Sequence, residues 1–260
     1  MSGFKRLTGL RNALISAAVL LAAWALAVEL TGVKRFILPG PDLVAETFWK
    51  SRALIAEHAV YTLAEVAAGL ALGLGFGAAT ALLLAQSSAG RIVLRPILVF
   101  SQALPFFALA PLLTLWMGFG AAPKITMAVL FIFFPVTSAF YDGLTRTPPA
   151  LLDMARVMGA SERAVLWRLK IPAALPGLGS GLRLAAVYAP LGAVIGEWVG
   201  AGRGLGYLML LANGRVKTDL LFAAVITVGV MSVTLYLLAS VLADRMERWA
   251  EGRLGEVVRD

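Results

Sequence analysis

Long apolar runs separated by short polar segments constrain this chain more than any other feature of its sequence. The runs cover residues 13–31, 59–86, 97–118, 124–141, 178–199 and 220–242. A helix of about 20 apolar residues spans the hydrocarbon core of a bilayer. Hydrophobic residues make up 60% of the chain and charged residues only 15%, a composition too apolar for a soluble domain. The sequence therefore predicts an all-α membrane protein, one transmembrane domain over residues 1–260, with about six transmembrane helices.

The distribution of basic residues indicates how these spans are oriented. With the N-terminus inside, the segments 1–12, 87–96, 142–177 and 243–260 face the cytoplasm and hold most of the lysines and arginines. The positive-inside rule therefore places both termini in the cytoplasm. The first run follows Lys5, Arg6 and Arg11, as in a signal peptide, but its length favours a retained span.

Composition excludes several classes of function. The chain has no cysteine and one histidine, so we expect neither a metal site nor a bound cofactor. The net charge of +8 does not indicate nucleic-acid binding, because the basic residues cluster in short segments that flank the apolar runs, as orientation signals do. No phosphate-binding Gly-x-x-x-x-Gly-Lys-Ser/Thr loop is present, and nothing in the sequence suggests an enzyme active site.

Two spans carry small residues at four-residue spacing, which places each set on one face of its helix. The sets are Gly69, Gly73 and Gly77 in the second span and Gly192, Gly196 and Gly200 in the fifth. Missing side chains let another backbone approach closely. Each set therefore forms a glycine seam, a face where helices pack closely, either inside one subunit or between two subunits.

Prolines and ionisable residues within the spans are candidates for a solute path. Interior prolines kink a helix and free carbonyl groups, so the third span is either pore-lining or simply bent. Acidic residues within a membrane span usually face a cavity or a partner. We expect Glu65 to make an interhelical contact, whereas Glu197 contacts either another helix or the substrate. His58 is expected to face headgroups, and Tyr188 is interpreted as packing. The candidate path residues are Pro105, Phe106, Pro111 and Glu197.

A polar stretch between the fourth and fifth spans carries a different pattern. Within the segment 148–176, the sequence predicts a helix from Leu151 to Met158, a turn at Gly159, and a second helix from Ser161 that stops at Pro172. The second helix has an apolar side, Val165, Leu166 and Leu169, which fits either a groove in another protein or lipid headgroups.

The stretch resembles the hallmark of permease subunits of bacterial ABC importers. That hallmark reads Glu-Ala-Ala, three residues, Gly, nine residues, then Ile, any residue, Leu-Pro. This chain reads Asp153-Met154-Ala155, three residues, Gly159, nine residues and Leu169-Lys170-Ile171-Pro172. The spacing matches throughout, and Met154 is the departure from it.

Shorter phrases extend the resemblance over nearly the whole chain, to the subgroup of nitrate, sulfonate and taurine permeases. They include Ile37-Leu38-Pro39, Leu115-Trp116-Met117-Gly118-Phe119-Gly120 and Gly204-Leu205-Gly206. The phrase from Phe134 to Leu144 is similar to permeases for the pyrimidine precursor of thiamine.

The resemblance implies a multi-pass subunit of the bacterial inner membrane that forms the pore of an ATP-driven importer and has no catalytic site of its own. Its implied partners are cytoplasmic ABC ATPase subunits, a periplasmic solute-binding protein and a second copy of itself. The alternative is a transporter driven by an ion gradient. The residues implied to couple to the ATPase, on a cytoplasmic coupling helix between spans four and five, are Asp153, Ala155, Gly159, Ala160, Ser161, Glu162, Val165, Leu166 and Pro172.

Overall fold

The chain consists of helices and connecting loops over the part that the structure describes. A computed structural model describes residues 2–257, with side chains for residues 11, 12 and 15–253; the orientation signals Lys5 and Arg6 lie outside the described side chains. The helices are α1 (Ser2–Thr31), α2 (Pro41–Lys50), α3 (Arg52–Gln86), α4 (Ser88–Ala103), α5 (Phe106–Met117), α6 (Ala122–Thr145), α7 (Pro149–Val157), α8 (Glu162–Val165), α9 (Ile171–Glu197), α10 (Leu205–Gly214) and α11 (Thr218–Val257).

Four stretches of helix are long and apolar enough to cross a membrane. They are Arg52–Gln86, Ala122–Thr145, Glu162–Glu197 and Thr218–Arg253. A fifth span results if α4 and α5, which meet at an angle of 104°, are counted together. The apolar described part of α1, Ile15–Thr31, is shorter. The all-helical membrane class is confirmed, with four or five candidate spans among the described residues.

The centre of the fold is α6, which packs against both α3 and α9, while α11 packs against α9. The glycines bring these helices close together. A methyl group added at Gly69 would lie 2.5 Å from Ala128 Cβ, and one at Gly73 would collide with Ile132. A methyl group added at Gly192 would lie 2.7 Å from Ala128 Cα. Both glycine seams therefore pack inside this one chain.

The predicted kink in the third span is a sharp break. Helix α4 ends at Ala103, Leu104 is extended, and α5 begins directly after Pro105. Proline cannot donate a backbone hydrogen bond and disfavours helical conformation in the residue before it. Pro111, in contrast, lies inside α5, so only the first of the two prolines marks the break.

The predicted stop at Pro172 is wrong. A π-helical turn, Leu166–Lys170, joins α8 to α9, and helix runs unbroken from Glu162 to Glu197. The proline ring crowds the carbonyl group four residues before it in an α-helix. In the π turn the Ile171 N–H bonds the Leu166 carbonyl, five residues back, so the widened turn directly before Pro172 accommodates the ring.

Candidate functional site

The turn between α7 and α8 has the geometry that its sequence predicts. Gly159 has φ +73°. Its N–H bonds the Arg156 carbonyl at 3.0 Å, and the Ala160 N–H bonds the Ala155 carbonyl at 2.9 Å. This pair of bonds is a Schellman motif, which ends a helix at a residue in the left-handed region. The predicted role of Gly159 in ending α7 is confirmed.

Helix α8 begins at a cap that was also predicted. The Ser161 hydroxyl accepts a hydrogen bond from the Ala164 N–H at 3.2 Å, which satisfies one of the free donors of the first turn. Val165 and Leu169 are then buried together with Ala155 of α7. Leu166 is buried in a separate cluster with residues of α3, α6 and α9. The two short helices are therefore fixed to each other and to the membrane helices.

The apolar surface of this segment differs from the predicted one. The predicted apolar side of the second helix, Val165, Leu166 and Leu169, faces neither a partner groove nor lipid headgroups, because each residue is at most 7% exposed. The most exposed apolar side chains directly precede the turn instead: Val157 is 89% exposed and Met158 is 73% exposed, and Trp167 is 59% exposed farther along. Ala155 is buried, whereas Val157 and Met158 are exposed. Helical spacing alone places Ala155 and Val157 on different faces of α7.

The nine residues predicted to couple to the ATPase divide between the surface and the interior. The exposed ones are Asp153, Gly159, Ala160, Ser161 and Glu162, and the buried ones are Ala155, Val165, Leu166 and Pro172. Asp153 makes an exposed ion pair with Arg156 at 3.1 Å. Glu162 lines a groove of about 470 Å³ beside the end of α3, together with Arg163, Trp167 and Lys170.

A second candidate site is a cavity of about 590 Å³ along one face of α6 and α9. Residues at i, i+3 and i+4 spacing share a helix face, and this cavity follows that spacing from Phe131 to Asp142 on α6. Its lining residues are Gln102, Phe106, Phe131, Phe134, Pro135, Ser138, Ala139, Asp142, Leu184, Tyr188 and Leu191.

The cavity includes only part of the predicted solute path. Phe106 lines it, directly after the break at Pro105, whereas Pro111 and Glu197 do not. Tyr188, interpreted from sequence as packing, lines the cavity as well. Sequence reasoning missed Asp142 as a site residue, although its spacing from Phe134 and Ser138 places all three on one face.

Glu197 instead belongs to a buried polar cluster near the start of α10. Its carboxylate accepts hydrogen bonds from the Thr62 hydroxyl at 2.6 Å and from the Gly206 N–H at 2.5 Å. The Leu205 N–H donates to the Thr62 hydroxyl at 2.8 Å. These bonds satisfy free donors at the N-terminus of α10. Glu197 thereby ties α3, α9 and α10 together.

The same region corrects one prediction and confirms another. His58 does not face headgroups, because it is 7% exposed and its Nδ1 accepts a hydrogen bond from the Gly204 N–H at 3.0 Å. Glu65 makes the expected interhelical contact, a buried ion pair with Lys124 at 2.9 Å. Over the described side chains, no three acidic, histidine or cysteine groups converge as metal ligands.

The family of the chain follows from comparison with known proteins. Residues 71–252 match the model of the family described as binding-protein-dependent transport system inner membrane component. The chain is 48% identical to a probable ABC transporter permease protein of Haemophilus influenzae over 223 residues, covering 86% of this chain and 91% of the relative.

Two further relatives have named solutes. The riboflavin transport system permease protein of Chloroflexus aurantiacus is 36% identical, covering 89% of this chain and 87% of its own. The formylaminopyrimidine transport permease protein of Halalkalibacterium halodurans is 37% identical, covering 73% of this chain and 76% of its own.

A solved structure supports the same fold. The inward-facing methionine ABC transporter superposes with a TM-score of 0.62 at 22% identity, covering 77% of this chain and 98% of that chain. The relatives are permeases of ABC importers, so the alternative of an ion-gradient-driven transporter is set aside. The chain belongs to the binding-protein-dependent transport system inner membrane component family, and it is the permease subunit of an ABC importer.

Proposed function

We propose that residues 148–172, which contain α7, α8 and the π turn and are called the 148–172 segment below, dock on a cytoplasmic ABC ATPase. The segment would transmit the movement of the ATPase to the solute path. The observation that carries this proposal is the turn at Gly159, which exposes Val157 and Met158 outside the helix bundle. Exposed apolar side chains with charged neighbours are typical of a protein contact. Exposed Arg163 and Arg168 supply those charges.

The internal contacts of the segment suggest how force reaches the membrane. Leu166, in the π turn directly after α8, packs against residues of α3, α6 and α9, and unbroken helix leads from Glu162 to Glu197. At 1.5 Å per residue, the part of α9 from Ile171 to Tyr188 is about 25 Å long. A push at α8 would therefore move the cavity face of α9.

The proposed topology has six spans and both termini in the cytoplasm. Helix α1 contains the first predicted span, and the bent pair α4 and α5 supplies the third. This count places α7 and α8 on the same side as the termini. Arg146, Arg156 and Arg163 lie on that side, in agreement with the positive-inside rule.

The proposed assembly contains a second copy of this chain, two ATPase subunits and a periplasmic solute-binding protein. The open face of the 590 Å³ cavity supports the second copy, because one chain alone does not enclose a path. The proposed solutes are small organic molecules. The candidates are a pyrimidine or other ring compound, as the relatives' names suggest, and an alkyl sulfonate or taurine, as the sequence resemblance suggests.

Photo-crosslinking tests the docking proposal. A crosslinking amino acid at Met158 in the native host is expected to capture an ABC ATPase, identified by mass spectrometry. The matched control is the same amino acid at Phe76, which is 60% exposed on the membrane helix α3 and is expected to capture no ATPase. Capture of lipid alone at Met158, or of the same proteins at both positions, contradicts docking.

A further inference from the structure

The polar groups in the cavity of α6 and α9 define what kind of solute it can hold. Among the side chains that the structure describes, Asp142 is the only charged one that lines it. The other lining side chains with donors or acceptors are Gln102, Ser138 and Tyr188, and none of them makes a side-chain hydrogen bond within the described part of the chain. Their polar atoms are therefore available to a ligand.

The apolar part of the lining is aromatic. Phe106 and Phe131 have ring centroids 4.9 Å apart, and Phe134 and Tyr188 contribute further rings. Aromatic rings favour stacked or edge contacts with other flat rings. The lining therefore suits a planar molecule better than a compact tetrahedral group.

The sign of the charge opposes an anionic solute. A carboxylate repels a sulfonate in the same cavity and accepts hydrogen bonds from amino groups. Two arginines lie nearby, but neither lines this cavity. Arg146 is 3.9 Å from Asp142, and because the two side chains are 81% and 54% exposed, solvent screens that pair. Arg95 lines the adjoining cavity of about 220 Å³, which shares Phe134, Ser138 and Asp142 with this one.

We propose that this cavity binds a flat nitrogen heterocycle bearing amino groups, neutral or cationic, and disfavours sulfonates. The ring stacks against Phe106 and Tyr188, while Asp142 accepts a hydrogen bond from an amino group. Gln102 and Ser138 contact the remaining ring nitrogens or substituents. This inference rests on the proposed function, since it identifies the solute of the same importer.

Saturation-transfer NMR on the full-length chain in lipid nanodiscs tests the proposal without the binding protein. The probes are 4-aminopyrimidine and ethanesulfonate. We expect transfer to the pyrimidine and weaker transfer to the sulfonate. Asp142→Ala is expected to weaken pyrimidine binding about tenfold or more, the range for a hydrogen bond to a charged group.

Three controls make the outcome decisive. Glu247→Ala removes an exposed carboxylate of α11 and is expected to leave binding unchanged. Tyr188→Phe keeps the ring and is expected to bind more tightly than Tyr188→Ala. Equal or tighter binding of ethanesulfonate, or pyrimidine binding that survives Asp142→Ala, overturns the inference. If Met158 still captures the ATPase in that case, the docking proposal stands and only the solute class is wrong.

Discussion

Gly159 shows how one residue determines the shape of the 148–172 segment. Its φ of +73° lies in the left-handed region, which costs a residue with a side chain about 1–2 kcal/mol. Apart from Gly159 itself and its two chain neighbours, no residue has a heavy atom within 4 Å of the position that its Cβ would occupy. A substitution there changes the backbone preference without a collision.

We predict that Gly159→Val uncouples transport while the chain remains in the membrane. A β-branched residue disfavours the left-handed region, so the turn that exposes Val157 and Met158 rearranges. ATP-dependent uptake and the Met158 crosslink measure the effect. Gly159→Asn is the matched control, because asparagine tolerates this conformation. Equal uptake by the valine and asparagine variants contradicts the role of the turn.

Glu65 and Lys124 form a buried ion pair between two membrane helices, and its removal is expected to affect stability. Both side chains are less than a tenth exposed, and their ion pair is 2.9 Å long. Removing one partner leaves an unpaired charge in the protein interior, at a cost of about 3–5 kcal/mol, whereas replacing both with apolar residues is often neutral.

We predict that Lys124→Met lowers the melting temperature of the detergent-solubilised chain more than the double change Glu65→Met with Lys124→Met. Thermal unfolding of the two variants and of Glu65→Met alone gives the coupling between the residues. If the two single changes simply add in the double variant, the pair does not stabilise the fold as an ion pair.

At the scale of elements, hydropathy predicted where membrane helices lie but not where they end. The runs 59–86, 124–141, 178–199 and 220–242 correspond to α3, α6, α9 and α11. Several helices extend beyond the apolar runs, because backbone hydrogen bonding continues where the sequence becomes polar. A distortion of the helix at Pro105 was predictable, because proline disfavours helical conformation in the residue before it.

The π turn and the inward side of α8 could not be predicted from local sequence. A helix that continues through Pro172 requires the one-residue shift in hydrogen bonding at Leu166–Lys170, which no composition signal reports. Likewise, Val165 and Leu169 give an apolar stripe that fits either an external groove or Ala155. Only the tertiary path of the chain decides between them. The hydrogen bond between Gly204 and His58 likewise joins residues far apart in the sequence, so local sequence does not predict it.

The seam between α3 and α6 gives an element-scale prediction with an internal control. Gly73 faces Ile132, while a methyl group at Gly75 in the same helix would meet no atom within 4 Å. Gly73→Leu is expected to abolish accumulation of folded protein, since overpacking separates the helices. Gly75→Leu is expected to be tolerated. Size-exclusion profiles of both variants decide, and similar profiles contradict the close packing of α3 on α6.

At the scale of the whole molecule, the described helices connect two sites. The 148–172 segment lies at one end of the bundle, and the cavity lies along α6 and α9. Leu166 and the unbroken helix from Glu162 to Glu197 link the two. In the proposed assembly, the ATPase subunits supply the energy for moving solute through this path.

Uptake by reconstituted vesicles tests that account most directly. Vesicles that hold this chain with its ATPase, supplied with the binding protein and solute, are expected to accumulate solute with ATP and not with a non-hydrolysable analogue. Vesicles that hold this chain alone are expected to accumulate none. Accumulation by the chain alone, driven by an ion gradient without ATP, would contradict the account.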